Sequence, residues 1–437
     1  MVPHLTTSLT GPLNELERLV LAKRSEIERW FRTQMLKHPA PFYSSVDLRN
    51  SGFKLAPVDT NLYPGGFNNL NPDFMPLCVH AAIAAVQKLC PDALRLMLVP
   101  ENHTRNLNYL QNVAVLKRIL EGTGVEVRIG SLIPDLKEPT VVETSKGEKL
   151  TLEPIQRKGN RVMLEGFDPC AILVNNDLSA GIPAILRGLE QDVAPPLVAG
   201  WSTRRKSHHF HAYDRVAEEF GQLVGMDPWF VNPVFSQCGM VNFAEREGEE
   251  CLAANVEFVL NEVKEKYAKF KIEAEPFAIV KADAGTYGMG IMTVRSVDEV
   301  RNLNRKTRNK MATIKDSQPV SEVIIQEGVY TYERVEGAVA EPVIYMIDQF
   351  VVGGFCRVHA ERGVDENLNS PGARYIPLEF ATDCHAPDCG GEDPGDPPNR
   401  FYTYGVVARL AMLAAAREVE ELVERDSAPE VRVAANA

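Results

Sequence analysis

Residues 277–294 read Phe277-Ala-Ile-Val-Lys281-Ala-Asp283-Ala-Gly285-Thr-Tyr-Gly288-Met-Gly290-Ile-Met-Thr-Val294. One β-rich run ends in a lysine, a glycine-rich turn follows, and a second β-rich run closes the segment. The glycines are spaced G-x-x-G-x-G, which is neither the dinucleotide fingerprint nor a Walker A loop, and no helix follows directly. Hydride transfer and P-loop hydrolysis are therefore disfavoured. Taken alone, the motif reads as a tight hairpin with glycines at positive φ. It also offers a flap whose backbone N–H groups can lie over phosphates, with Lys281 as a point charge beneath.

The neighbouring segments shift the balance toward the second reading. Val323-Ile-Ile-Gln326-Glu327-Gly328-Val329 is an apolar strand that turns abruptly acidic, as expected where a strand leaves the core and offers polar groups to an adenine and ribose. Glu341-Pro-Val-Ile-Tyr-Met-Ile-Asp348-Gln-Phe-Val-Val-Gly353-Gly354-Phe-Cys-Arg357-Val reads as a hairpin with Arg357 on its second strand. A buried strand seldom carries an arginine without an anion. The loop Asp365-Glu366-Asn367-Leu-Asn369-Ser-Pro-Gly372 follows closely.

Around this block the chain reads as two halves. Residues 207–223 and 249–267 are expected as helices, and 277–282, 290–295, 322–328, 339–348 and 349–358 as strands. A helix at 297–312 and a final helix at 402–424 complete an α+β lobe with an antiparallel sheet. The first half alternates helix 77–90, strand 94–99, helix 106–121, strand 125–129, strand 171–175 and helix 181–190, the pattern of a small parallel sheet. Residues 140–165 look like a hairpin insertion, and 13–36 like one amphipathic helix. Pro195-Pro196 marks a boundary near residue 200, which gives an N-terminal α/β substrate domain (1–200) and a nucleotide-binding lobe (201–437).

A chain of 437 residues exceeds what one core usually supports. With 47 basic and 59 acidic residues the net charge is -12, which repels nucleic-acid phosphates. No apolar run approaches the ~18 residues of a membrane span, and the first residues lack a secretion-signal pattern. A cytoplasmic protein without nucleic-acid or membrane partners is expected, with homo-oligomer formation left open. The eight cysteines include no C-x-x-C pair and should be mostly reduced. Cys384-His385-x-x-x-Cys389 has the spacing of half a zinc site, but no second Cys/His pair follows it and the segment reads as a Gly/Pro/Asp-rich loop.

A lysine before a glycine-rich flap, an acidic hinge strand, a hairpin ending in arginine and an Asn-rich loop, in that order, resemble the ATP-grasp fold and especially glutathione synthetase. With LAPVDTNLYPGGFNNL (55–70) and KADAGTYGMGI (281–291) included, the chain resembles a bacterial glutamate-cysteine ligase family over nearly its full length. The resemblance implies that Lys281 and Lys206 contact ATP phosphates under the flap glycines Gly285, Gly288 and Gly290. It implies too that Gln326, Glu327 and Val329 hold the adenosine, and that Arg357 and Asn367 face the transferred phosphate. The substrates would be ATP, L-glutamate and L-cysteine, joined through a γ-glutamyl phosphate in the first step of glutathione biosynthesis.

One departure shapes the fold expectation. ATP-grasp enzymes usually end in strands carrying Asp and then Glu-x-Asn, which hold magnesium, whereas this chain supplies a long helix there. A similar pattern lies early, in Asp47-Leu-Arg49-Asn50-Ser-Gly-Phe-Lys54-Leu-Ala-Pro-Val-Asp59-Thr-Asn61. A circular permutation would let residues 42–72 complete the sheet and bring Asp47, Asp59 and Asn61 to Mg2+. Strand residues two apart share a face, and hard oxygens suit that ion. The plainer reading is a polar surface loop with Asp and Asn turns.

Substrate contacts are expected at strand ends in the α/β half. The candidates are Arg105 before a helix N-terminus, Asn176, the amides Asn68 and Asn69 of the glycine-rich stretch, and Arg49. Another carboxylate–amine ligase of this kind, or a non-catalytic ATP-binding regulator, remains an alternative reading of the same residues.

Overall fold

A computed structural model describes residues 12–102, 104–285, 290–312, 320–378 and 400–427. Gly288 of the glycine-rich turn and the Cys384-His385-Cys389 segment lie outside the described residues.

Three sheets carry the fold, and its class is α/β joined to α+β. A six-stranded sheet runs in the order Asp192–Ala194, Ala171–Asn175, Arg95–Pro100, Glu126–Ser131, Lys149–Pro154, Thr140–Glu143. Its first five strands are parallel to their neighbours and the last is antiparallel. A four-stranded antiparallel sheet runs Phe235–Cys238, Val323–Glu327, Ala278–Ala282, Ile291–Val294. Between them lies a central antiparallel sheet, Arg374–Pro377, Phe350–His359, Ala338–Ile347, Tyr43–Asn50, Leu55–Asn61, with Arg334–Val335 attached to Ala338–Ile347.

The central sheet joins the two ends of the chain. Tyr43–Asn50 pairs with Ala338–Ile347 on one side and Leu55–Asn61 on the other, so the early strands extend the late hairpin as a circularly permuted sheet would. Period-two alternation then sends residues to opposite faces. Val46, Leu48, Ala340 and Ile344 enter one core with the C-terminal helix Arg400–Ser427 and the helix Lys206–Val224. Tyr43, Val343, Tyr345 and Phe355 enter another with the helix Met75–Leu89 and the parallel sheet.

Several expected elements take a different form. Residues 13–36 make two helices, Pro12–Ala22 and Arg24–Lys37; the bend at Lys23 keeps its hydrogen bonds, Lys23 N to Leu19 O and Ile27 N to Lys23 O, each 3.0 Å. Instead of a helix over 181–190 there is one short turn, Ala184–Leu186, because Pro183 and the positive-φ glycines Gly181 and Gly188 flank it. The helix at 297–312 is split into Val297–Arg301 and Arg305–Met311, the second opened by Asn304 accepting from Thr307 N at 2.9 Å. Residues 140–165 do form antiparallel hairpins, Thr140–Glu143 with Lys149–Pro154 and Gln156–Lys158 with Arg161–Met163, and Lys149–Pro154 also adds to the parallel sheet with Ile129 opposite Leu152. Among the described residues no helix is long and apolar enough to cross a membrane.

A buried ion pair fastens the C-terminal helix beneath the site. Arg204 donates from Nε and Nη2 to the two Glu418 oxygens at 2.9 Å each and from Nη1 to Thr60 O at 2.8 Å. His209 Nδ1 lies 3.0 Å from Glu418. Burial opposes ionisation of Glu418, but Arg204 and His209 overcome it and hold the carboxyl at about 2. Its contribution to stability is therefore complete above the usual glutamate range and is lost as pH falls through about 2. Replacing Glu418 by Ala strands the buried Arg204 charge, so a urea-unfolding series should show a loss of about 3–5 kcal/mol. A loss under about 1 kcal/mol, the size of an exposed pair, would contradict this role.

Candidate active site

A cavity of about 500 Å³ opens where the three sheets converge. Its floor is one face of the central sheet. Asp47 stands directly opposite Asp59 across the strand pair, and Glu341 directly opposite Arg357. Arg357 donates from Nη1 to Asp47 Oδ2 at 2.8 Å and to Glu341 Oε1 at 2.5 Å. Arg49 donates from Nε to the other Glu341 oxygen at 2.8 Å, and from Nη1 and Nη2 to the carbonyls of Val329 and Glu366 at 3.2 and 2.5 Å. Glu341 thus holds two guanidiniums. The sequence reading missed it, although an acid facing an arginine across a buried hairpin was the available signal.

The opposite wall carries the lysines. Lys206 opens the helix Lys206–Val224 and donates to Asp59 Oδ1 at 2.6 Å. Lys281, on the strand Ala278–Ala282, donates to the Val58 carbonyl at 2.5 Å. Asp283, just beyond that strand, accepts from Ser207 N and Ser207 Oγ at 2.7 and 2.6 Å, while its own carbonyl accepts from Lys206 N at 2.7 Å. A carboxylate from a glycine-rich turn thereby caps the Lys206 helix, complements its dipole and fixes the two lysines relative to each other. Asp283 was also missed, since its partner is remote in sequence.

Enclosure in the protein shifts these groups in distinct directions. Burial raises the Asp47 carboxyl despite Arg357, and the carboxylates of Glu341 and Asp59 add to the rise. Burial opposes ionisation of Asp59 too, but Lys206 and Lys281 overcome it and bring it to about 2. Burial similarly opposes the Glu341 charge, and Arg49 and Arg357 keep that group below its ordinary value. Lys281 is pushed down to about 8 by burial, with Asp59 offsetting part of the effect.

At one end Gln326, Glu327 and Val329 all line the cavity. One Glu327 oxygen is taken by Lys54 Nζ at 2.7 Å, Trp229 Nε1 at 3.1 Å and Val234 N at 2.9 Å, so this side chain ties its strand to the neighbouring elements. Gln326 Nε2, Glu327 Oε1 and Arg357 Nε are buried without a hydrogen-bond partner. Such groups are costly unless something completes them, and these three belong to residues that line one cavity.

The other end lies at the carboxyl ends of the parallel strands. Asn112 Oδ1 accepts from Gly66 N and Phe67 N at 2.8 and 2.9 Å, and Asn175 Nδ2 donates to Pro64 O at 3.0 Å, pinning the glycine-rich stretch as a wall. Gly66 has φ +132 and a Cβ there would meet Tyr345 Oη at 2.6 Å, so only glycine fits. Asn68 and Asn69 line the cavity, as do Arg49, Asn367, Asn61 and Gly285. Gly290 does not line it; its carbonyl instead accepts from Ala282 N at 3.1 Å. Arg105 is exposed and outside the lining set: its loop turns it to solvent. Asn176 is likewise outside, its amide spent on Pro100 O at 3.5 Å and Leu178 N at 3.0 Å, which is turn chemistry.

The described lining side chains include four cations (Arg49, Lys206, Lys281, Arg357) and seven carboxylates (Asp47, Asp59, Glu101, Asp177, Glu327, Glu341, Glu366). Even with Lys54 neutralising Glu327, lysines and arginines alone leave the cavity acidic, so a polyanion fits best together with a divalent cation. No three His, Cys, Asp or Glu side chains among the described residues form a metal cage. Two facing carboxylates and one amide nevertheless suit Mg2+, which keeps water and phosphate oxygens in its shell.

A cavity that sets cations and hard oxygens beside buried, unsatisfied donors suits an anionic ligand. The family model for glutamate-cysteine ligase matches residues 17–419, and the chain belongs to that family. Among solved structures, a crystal structure at 1.90 Å from Methylobacillus flagellatus KT, provisionally assigned as a gamma-glutamylcysteine synthetase, is 63% identical with TM-score 0.88, covering 96% of this chain and 99% of its own. An apo glutathione synthetase-like effector from Globodera pallida (11% identity, 86% of each chain) and D-alanyl-alanine synthetase A from Vibrio cholerae O1 biovar eltor str. N16961 (8%, 73% of this chain and 80% of its own) reach only TM-score 0.34, and nothing is built on them. No curated protein shows significant similarity.

The depressed Lys281 would make binding of a nucleotide phosphate at its ammonium pH-sensitive. Its ammonium is retained below about 8 and lost above it, so ADP affinity measured by calorimetry should weaken by up to about tenfold per pH unit beyond that point. Lys281→Met should bind weakly with no such slope. A wild-type affinity that stays flat from pH 7 to 9.5 would remove Lys281 from the phosphate site.

Proposed function

We propose that this cavity joins the γ-carboxylate of L-glutamate to the amine of L-cysteine with ATP as phosphoryl donor and Mg2+ as metal. The observation that carries the reading is the placement of Arg357: its Nε is buried and unsatisfied on a floor faced by Lys206 and Lys281, where an anion would complete it. Gln326 and the Val329 backbone border the adenosine. Lys206 and Lys281 grip its phosphates, and Arg357 with Asn367 faces the phosphoryl group in transfer. Asp47, Asp59 and Asn61 would hold Mg2+, which supplies charge neutralisation on phosphate oxygens.

Phosphorylation of the carboxylate and attack of the amine both develop negative charge on oxygen. Fixed cations in an enclosed site stabilise that charge without reorganising. No side-chain nucleophile is needed. Exclusion of water protects the acyl phosphate from hydrolysis, a task that falls to the segment after Gly285. A cytoplasmic location fits a reaction that draws on ATP.

The decisive assay is Mg2+-dependent ADP release, which should require glutamate and cysteine together. Asp59→Ala should lower turnover by at least about 100-fold with an unchanged circular-dichroism spectrum. Release with either amino acid omitted, or near-normal turnover in the variant, would overturn the assignment.

A further inference from the structure

Behind the nucleotide wall two thiols face each other. Cys238 is buried at the end of the strand Phe235–Cys238, and Cys251 is exposed in the first turn of the helix Glu249–Phe270. Their sulfurs lie 2.6 Å apart, about half an ångström beyond a covalent S–S bond of ~2.05 Å. The surroundings hold both ends in place. Ser236 Oγ donates to Asn255 Oδ1 at 2.5 Å, and Asn255 Nδ2 donates to the Cys251 carbonyl at 2.8 Å and lies 3.5 Å from its sulfur. Strand and helix already share one core through Cys238, Leu252 and Val256.

We propose that Cys238 and Cys251 form a reversible disulfide site that takes low-molecular-weight disulfides as co-reactant and locks the nucleotide sheet without inactivating it. The exposed Cys251 thiolate attacks one sulfur of R–S–S–R, forming a mixed disulfide and expelling the first thiolate, which takes up a proton. The Cys238 thiol, which burial pushes up to about 11, then gives its proton to the departing small-molecule sulfur as its own sulfur attacks Cys251, closing the protein disulfide and releasing the second thiol. Two protein thiols are oxidised and one small disulfide is reduced to two thiols.

Retention of activity follows from geometry. Phe235–Cys238 pairs with Val323–Glu327, placing Phe235 opposite Gln326 and Cys238 opposite Val323. Drawing the sulfurs together by half an ångström at the far end of this pairing leaves the Gln326 end of the cavity where it is. The bond would close a loop of 13 residues (251 − 238), which limits the unfolded chain. It also removes an exposed thiol from further oxidation.

The test incubates the full chain with glutathione disulfide, followed by non-reducing peptide mapping, thermal unfolding and ADP-affinity measurement. Expected are a Cys238–Cys251 crosslink, a melting temperature higher by about 3 °C or more, ADP affinity within about twofold of the reduced protein, and no crosslink or shift in Cys251→Ser. A stable mixed disulfide at Cys251, a crosslink that forms only in denaturant, or a crosslinked protein that no longer binds ADP would each overturn the proposal. Mapping and melting read the bond whether or not the chain is a ligase.

Discussion

The site depends on one pairing, the lodging of Tyr43–Asn50 between Ala338–Ile347 and Leu55–Asn61. This ladder sets Asp47 against Asp59 and carries both beside the Glu341–Arg357 pair. The register shifts between Asp47 and Leu48, so Val58 is the extra residue of a β-bulge and its carbonyl turns to Lys281. A slip of one residue would send every one of these side chains to the opposite, apolar face. The apolar partners Val46, Leu48 and Ile344 on that face make such a slip costly, so the hydrophobic pattern enforces the chemistry.

Several charges of the site are paired with one another. Arg357 answers Asp47 and Glu341, Lys206 answers Asp59, and Arg49 answers Glu341. Charges this enclosed are tolerated only when paired, and the pairing keeps side chains in the geometry a ligand would need. On the proposed reading, a metal ion would take over carboxylates and phosphates would take over the released cations. The raised Asp47 and the lowered Lys281 mark the two groups whose charges are least well compensated before that exchange.

The fold class was legible in the sequence, and so were several residues of the cavity wall. Lys281, Arg357, Asp59 and Asn61 stood out because charged and polar residues in β-rich runs need a reason to be there, and all four line the cavity. The strand–helix alternation around Arg95–Pro100 was legible from hydrophobic period. Asp283 was not, since its meaning lies in a partner 76 residues away, whereas Glu341, 16 residues from Arg357 across one hairpin, carried a signal that went unread. Arg105 and Asn176 fall outside the cavity lining, since a helix start or strand end supplies polar residues for turns as readily as for ligands. The Ala184–Leu186 turn shows local chemistry overruling pattern: apolar spacing suggested a helix, but Pro183, Gly181 and Gly188 forbade it.

Whether the early and late strands grip the same triphosphate can be read directly from a crystal grown with Mn2+ and a non-hydrolysable ATP analogue. The anomalous manganese peak should fall within about 2.3 Å of an Asp47 or Asp59 carboxylate oxygen, with the γ-phosphate against Arg357 and Lys281. A metal bound without either aspartate, or a triphosphate lying away from Arg357, would contradict the shared site.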